Sequence, residues 1–500
     1  MDRNYIVLTT NPGKVTLADV PVLDYAFFQS VVDDLLANPS NHCLAYYAIP
    51  FPDYYKFICC IGCDETHSIA VFCHHLPLKT GNELDSLTIR HFPLHVFERE
   101  IHEQYGIGFS GHPWLKPVRF PTGSSEMDRY PFYAIESEEL HEVGVGPIHA
   151  GIIEPGYFRF ICNGEKVLHL EIQLGYQHRG IERLFVEKKH LLQKAVLAEN
   201  ICGDTAVGHT LCHVGLIEVL GEITSADGLF LERNIALELE RIAIHIGDTA
   251  ALCTDIAYQF GQVVNEALRT IVINTMQCWC GNRFGKGLIR PGGSYYPLTS
   301  EISQTISINL KEVLERYLQI TSRIFSMPSV LSRFEGTGKL SSKQAALLGA
   351  VGMVARSSGI SRDIRWSHPL PGMDHVESSP VILHKGDVWS RAMMRKIEVE
   401  KAVSRINQML GQLTGDYHQV PSYDIVLQPS SLAISLTEGW RGEICHTAIT
   451  DEKGQIMHYK IKDPSFHNWM ALALAVRDQE ISDFPLCNKS FNLSYCGNDI

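Results

Sequence analysis

The chain has 500 residues, 45% of them hydrophobic and 20% charged, an ordinary globular composition with length for two or more cores. Its formal net charge of −13 repels a phosphate backbone, so DNA and RNA are set aside as partners. The N-terminal Met1-Asp2-Arg3-Asn4-Tyr5 has no apolar export core, and no apolar run reaches the roughly 18 residues of a membrane span, so any membrane link is expected to run through partner subunits.

Residues 1–120 read as α+β. Residues 32–36 look helical, and 44–49, 54–62, 67–75 and 85–90 read as strands separated by polar or Gly/Asn breaks. Cys59, Cys60 and Cys63 fall at the second of these strands. Cys60-x-x-Cys63 has metal-like spacing, but no matching second pair follows, so these read as buried reduced thiols, with metal or redox use as the other reading. A charged helix is expected over 96–105.

Residues 121–145, rich in Pro, Gly, Ser and Glu, read as a linker. Residues 148–180 alternate around Asn163-Gly164, a strong hairpin signal. From 181 to 280 the period is helical: Leu237, Arg241, Ile244 and Asp248 recur on one face beside an apolar stripe of Ile235, Leu239, Ile242 and Ile246. Two more helices are expected at 310–325 and 387–413, and the last hundred residues read as short strands and turns. Residues 146–500 thus form a second, mainly helical domain flanked by small sheets.

Two resemblances carry the functional expectation. Glu98-Arg99-Glu100-Ile101-His102-Glu103-Gln104-Tyr105-Gly106-Ile107-Gly108-Phe109-Ser110-Gly111-His112-Pro113 resembles the signature of the C-type subunit of respiratory complex I, with Glu103 for Asp and Tyr105 for Phe. The rest resembles the D-type subunit of complex I and, more closely, the large subunits of group 4 nickel–iron hydrogenases of the formate hydrogenlyase kind. The matching pieces include Gly175-Tyr176-Gln177-His178-Arg179-Gly180-Ile181-Glu182, Glu240-Arg241-Ile242-Ala243-Ile244-His245, Arg362-Asp363-Ile364-Arg365, Glu438-Gly439-Trp440-Arg441-Gly442 and Asp463-Pro464-Ser465-Phe466-His467-Asn468. The resemblance implies an α+β fold: a small α/β domain like the C-type subunit, then a mainly helical domain like the D-type subunit.

A nickel–iron centre needs four thiolates, since soft sulfur suits both metals. Group 4 large subunits supply them as an early C-G-x-C and a late D-P-C-x-x-C. Here the four positions read Cys202, Thr205, Ser465 and Asn468, so one sulfur remains and no nickel–iron centre is expected. A zinc site built from Cys202, His209, His213 or His467 is spaced plausibly, but structural histidines are favoured. The resemblance to the D-type subunit also implies a quinone-binding His in an early loop and a Tyr near the lost cysteines. His149 matches the first, weakly, with no second His after it, and Gly203 falls near the Tyr position.

By the same resemblance, Glu182 matches a proton-relaying acid, which burial would raise into a shuttling range; the alternative is a structural pair with Arg179 or Arg183. Arg441 matches an arginine overhanging the metal site and is expected to bind an anionic or carbonyl group, or to pair with Asp204 or Asp463. Asp204 is a candidate proton acceptor, and His209 and Cys202 border the same pocket. The resemblance places a 4Fe-4S cluster in an adjacent small subunit, the counterpart of the B-type subunit of complex I. It adds membrane subunits like the H-type subunit of complex I and like antiporters, puts the chain on the cytoplasmic face of the cell membrane, and makes a quinone one candidate acceptor. Two functions follow: an electron-transfer subunit of an ion-translocating oxidoreductase that evolves no hydrogen, or a catalytically empty coupling subunit of that complex.

Overall fold

In the computed structural model, the described residues are 4–79, 81–121, 124–373, 376, 378–413 and 418–500. Residues 1–3, part of the N-terminal stretch without an export core, and Thr122 and Gly123 of the expected linker lie outside them.

The N-terminal half-layer is a sheet in the order Ile6–Leu8, Ser68–Pro77, Tyr54–Cys63, Asn41–Pro50, with Val22–Leu23 pairing parallel to Ser68–Pro77. Both faces are covered, which explains strands that read as near-continuous apolar runs. One face takes Phe28 and Val32 of helix Tyr25–Leu36 and Phe97 and Ile101 of helix His95–Tyr105. The other packs Leu44, Ile58 and Val71 on Leu432, Ile434 and Ile449 of a C-terminal sheet. That sheet runs Ile456–Lys462, Glu443–Thr450, Ser431–Glu438 and then Gly13–Thr16, so the chain's opening strand completes a sheet made by its end. Odd separation along a strand sends Cys60 to one face and Cys63 to the other, which removes the metal-like geometry of that spacing.

The charged signature helix is explained residue by residue. Glu98 accepts from Ser86 Oγ, Leu87 N and Thr88 Oγ1. Arg99 donates to the carbonyls of Lys116 and Pro117, and Glu103 accepts the backbone N–H groups of Val118, Arg119 and Phe120. These bonds correct the strand expected at 85–90. Ser86 caps a 3-10 turn Leu87–Ile89, and only Glu83–Asp85 is extended.

Helices Asp227–Asp255, Gln259–Cys280, Ser300–Ile324 and Val388–Gln412 build the main core. The hairpin at Asn163-Gly164 gains a third strand, His141–Val145, inside the expected linker. The final hundred residues are not only strands. Ser465–Ala475, whose Ala471-Leu472-Ala473-Leu474-Ala475 run has strong helix propensity, and Phe484–Phe491 are helical.

Candidate functional site

The early ligand motif sits on the turn ahead of helix Ala206–Leu220. Glu240, from the long helix Asp227–Asp255, holds that helix start: its carboxyl oxygens accept Val207 N at 2.7 Å and Gly208 N at 3.2 Å. Burial pushes Glu240 up to about 8 despite those bonds. The next residue, Arg241, donates to the carbonyls of Glu438 (2.6 Å) and Gly439 (3.0 Å) and so fixes the turn that carries Trp440 and Arg441. Gly442 lies at φ +142, and a Cβ there would stand 2.6 Å from the Gly352 Cα, so only glycine allows this approach. Behind the turn, Arg365 joins Asp363 and Glu398 while Arg356 pairs with Glu398, all inside the core.

Trp440 Nε1 donates to Asp204 O at 2.9 Å and to Thr205 Oγ1 at 3.1 Å. Arg441 grips Asp204 with both Nη atoms at 2.6 Å, and its Nη1 also reaches Thr205 Oγ1 (3.2 Å) and Cys202 Sγ (3.4 Å). Burial alone would raise Asp204; the guanidinium beside it holds it below the usual carboxylate range instead.

The four ligand positions are bonded to protein. Cys202 Sγ donates to Asp204 Oδ1 at 2.9 Å and lies 3.1 Å from Ser494 Oγ. Thr205 Oγ1 donates to Asp204 Oδ1. Ser465 Oγ accepts Ser494 N at 2.9 Å. Asn468 makes a two-way bridge to Val351, accepting its N–H and donating to its carbonyl, each at 3.2 Å. One thiol, two hydroxyls and a carboxamide do not make the soft donor set of a nickel–iron centre. Among the described residues no three His, Cys, Asp or Glu side chains are arranged to hold a metal, so Cys202, His209 and His467 form no zinc set either.

A second thiol joins the first. Cys496 lies 3.4 Å from Ser494 Oγ, and its hydrogen bond with Cys202, together with burial and Asp204, pushes the Cys202 thiol well up against the pull of Arg441. Glu154, from the loop that carries His149, borders Cys496. Sequence spacing gave no signal for Cys496 or Ser494, which reach Cys202 from almost the other end of the large domain.

Of the other expected residues, Glu182 has a different partner from the arginines expected. It pairs neither with Arg179, which donates to backbone carbonyls, nor with Arg183, which pairs with Glu187. Its Oε1 lies 3.0 Å from Lys460 Nζ and accepts Ile461 N at 2.9 Å. Burial would raise this carboxyl, but Lys460 and Arg119 hold it below the usual range, contrary to the raised value expected of a shuttle. His209 is fully buried. Its Nε2 lies 3.1 Å from Asp463 Oδ2 and its Nδ1 3.1 Å from His446 Nε2. The chain continues through Tyr459 OH to His213 Nδ1. His149 closes its own loop, with Nε2 2.8 Å from Gly156 O.

Two known families match successive stretches of the chain. The family described as respiratory-chain NADH dehydrogenase, 30 Kd subunit, matches residues 41–132, and the 49 Kd subunit family matches residues 262–433. The carbon monoxide-induced hydrogenase of Rhodospirillum rubrum is 31% identical over 70% of this chain and 97% of its own. Formate hydrogenlyase subunit 5 of Escherichia coli (strain K12) is 26% identical over 80% of this chain and 74% of its own. In fold, a chain of the membrane-bound sulfane sulfur reductase, an archaeal respiratory membrane complex, superposes with a TM-score of 0.67 at 19% identity. It covers 74% of this chain and all of that one.

Proposed function

The chain belongs to the large-subunit family of membrane-bound, hydrogenase-related, complex I-like complexes, and from that premise we propose that it is an electron-transfer subunit without a nickel–iron centre. Residues 1–120 would serve as the part like the C-type subunit of complex I, and 146–500 as the part like its D-type subunit. The observation that carries the reading is the state of the four ligand positions: each is spent on a protein hydrogen bond, and the Arg441–Asp204 pair spans the early motif. In this reading a small subunit with a 4Fe-4S cluster docks beside Cys202, Asp204 and Arg441. Electrons pass to a quinone or another acceptor, and membrane subunits on the cytoplasmic face of the membrane couple this to ion movement. Arg441 would orient a carbonyl or anionic acceptor only by giving up part of Asp204.

One observation favours a second reading, a catalytically empty coupling subunit. Glu182, the expected proton relay, is locked to Lys460 in the strand that also meets Glu100 of the N-terminal part.

The discriminating experiment is metal analysis of the purified complex followed by cluster reoxidation with a quinone analogue. Iron without nickel, and reoxidation that depends on the analogue, supports the electron-transfer reading. Nickel at one per chain overturns it. Iron without nickel and no response to the analogue leaves the coupling reading, or an acceptor of another class.

A further inference from the structure

The segment Ala350–Gly352 has two sides. One meets the site: Val351 clasps Asn468, and Gly352 packs directly on the Arg441–Gly442 backbone. On the other, Val351, with Gly349 just before the segment, lines a separate cavity of about 270 Å³ between the N-terminal sheet and the large domain. None of the residues that line it belongs to the Arg441–Asp204 set.

The wall of this cavity carries two arginines, Arg90 and Arg362, and three histidines, His42, His91 and His467, and among the described residues no carboxylate. Part of that basic set is already partnered. Arg90 and His91 both meet Asp33, at 2.9 and 2.8 Å, and His42 Nε2 lies 2.5 Å from Glu443 Oε2. Arg362 and His467 remain. Arg362 is 6% exposed, its Nε has no hydrogen bond, and its Nη1 has one long contact, to Ala350 O at 3.4 Å. Asp64, behind the wall, is the nearest counter-charge, at 3.9 Å, and is shared with His42 (3.7 Å) and His368 (3.8 Å). His467 is 2% exposed, and its Nδ1 has no partner. Buried donors left unbonded are costly, more so on a guanidinium, and an acceptor entering the cavity would remove that cost. The rest of the lining is largely apolar, with Leu36, Phe92, Leu347 and Ile360. The space is large enough for a short organic molecule.

We propose that this cavity is a binding site for a small organic anion, with its carboxylate on Arg362 and His467 and its apolar body against Leu36, Phe92 and Leu347. Arg362 sets the charge of the ligand, His467, which burial keeps neutral, has a ring nitrogen free for a hydrogen bond, and the apolar remainder excludes a bare hydrated ion as the best fit. The ligand would press on the segment that holds Asn468 and backs Arg441, so its occupancy would be felt at the site without contact with it.

The test is calorimetric titration of the full chain with sodium hexanoate, and with 1-hexanol and sodium phosphate as controls. Hexanoate is expected to bind at one site per chain, at least tenfold tighter than either control. Arg362→Gln should weaken it tenfold or more. Because Arg362 is buried, Leu347→Glu, at a position 55% exposed, is the second variant. It should repel hexanoate equally while leaving the melting temperature of the unliganded chain unchanged. Phosphate binding as tightly as hexanoate would reduce the cavity to a bare anion site and overturn the proposal. So would hexanol binding as tightly, hexanoate binding that survives both substitutions, or no hexanoate binding at millimolar concentration.

Discussion

Arg441 holds both carboxylate oxygens of Asp204, Nη1 to Oδ1 and Nη2 to Oδ2, each at 2.6 Å. The pair supplies the early motif with its own charge balance. In a four-thiolate site the arginine would face anionic sulfur; here a carboxylate two residues after Cys202 takes that role.

Asp204→Asn leaves the buried Arg441 without its counterion. Breaking a fully buried pair costs about 3–5 kcal/mol, but the Asp204 side chain is 34% exposed. A loss of about 1–2 kcal/mol is therefore expected from urea unfolding. Cys202 should also respond: without the Asp204 charge its thiol falls toward Arg441's influence, and alkylation by iodoacetamide should quicken. Unchanged stability together with unchanged alkylation would refute this account of the pair.

Restoring thiols at the lost positions should not be neutral. Asn468→Cys strips both the N–H and the carbonyl of Val351 of their buried partner, at a cost of about 1–3 kcal/mol for each group left unsatisfied. Ser465→Cys still presents sulfur to Ser494 N and should cost less. Thermal melts of the two single variants check the order; the reverse order would show that the Val351 bridge is not what Asn468 supplies.

Some of this was legible in the sequence. Thr205, Ser465 and Asn468 are readable as absent ligands because motif spacing is local, and Asp204 as a partner of Arg441 because both flank the same positions. The Lys460 partner of Glu182 was not, since no local spacing joins a helix start to a strand almost 280 residues later, and Arg179 and Arg183 were nearer in sequence. Strand His141–Val145 was hidden because an edge strand exposed to solvent has polar, linker-like residues. The helices after Asp463 were missed because the preceding strands set the expected pattern, although the alanine-leucine run favours helix.

Glu240 gives a pH signature. Its carboxyl keeps its proton up to about 8 in the folded chain, while an unfolded Glu loses it near 4.3. Between those values the folded form binds more protons, so this group's contribution is fully present below the lower value and is lost as pH rises through the upper one. Glu438, pushed up to about 8 by burial, acts in the same direction. Glu240→Gln keeps one acceptor for the helix start and loses the other, so it should lower stability at every pH, but it should also make the fall in stability between pH 5 and 8 shallower, as read from urea midpoints across that range. An equally steep fall in the variant would assign the whole slope elsewhere.

Lys460 is one joint between the two parts of the chain and the control on Glu182. Its Nζ lies 2.5 Å from Glu100 Oε1 and 3.0 Å from Glu182 Oε1, and Glu100 also meets Arg119. Lys460→Met removes the shared cation from two buried carboxylates, and the expected loss is about 3–5 kcal/mol. The sign with pH follows from the lowered Glu182 value. Its stabilisation is present above the unfolded Glu range and is lost as pH falls through the folded value, so the gap between wild type and Lys460→Met should narrow as pH falls from 6 toward 3. In the variant the Glu182 carboxyl should titrate higher, which carbon NMR of labelled glutamate can follow. If Glu182 relays protons to an acceptor, Lys460→Met shifts the pH profile of acceptor reduction and Glu182→Gln abolishes the reaction. If Glu182 is only the far end of a structural clasp, both variants lower stability, and the activity of the folded fraction keeps its pH profile.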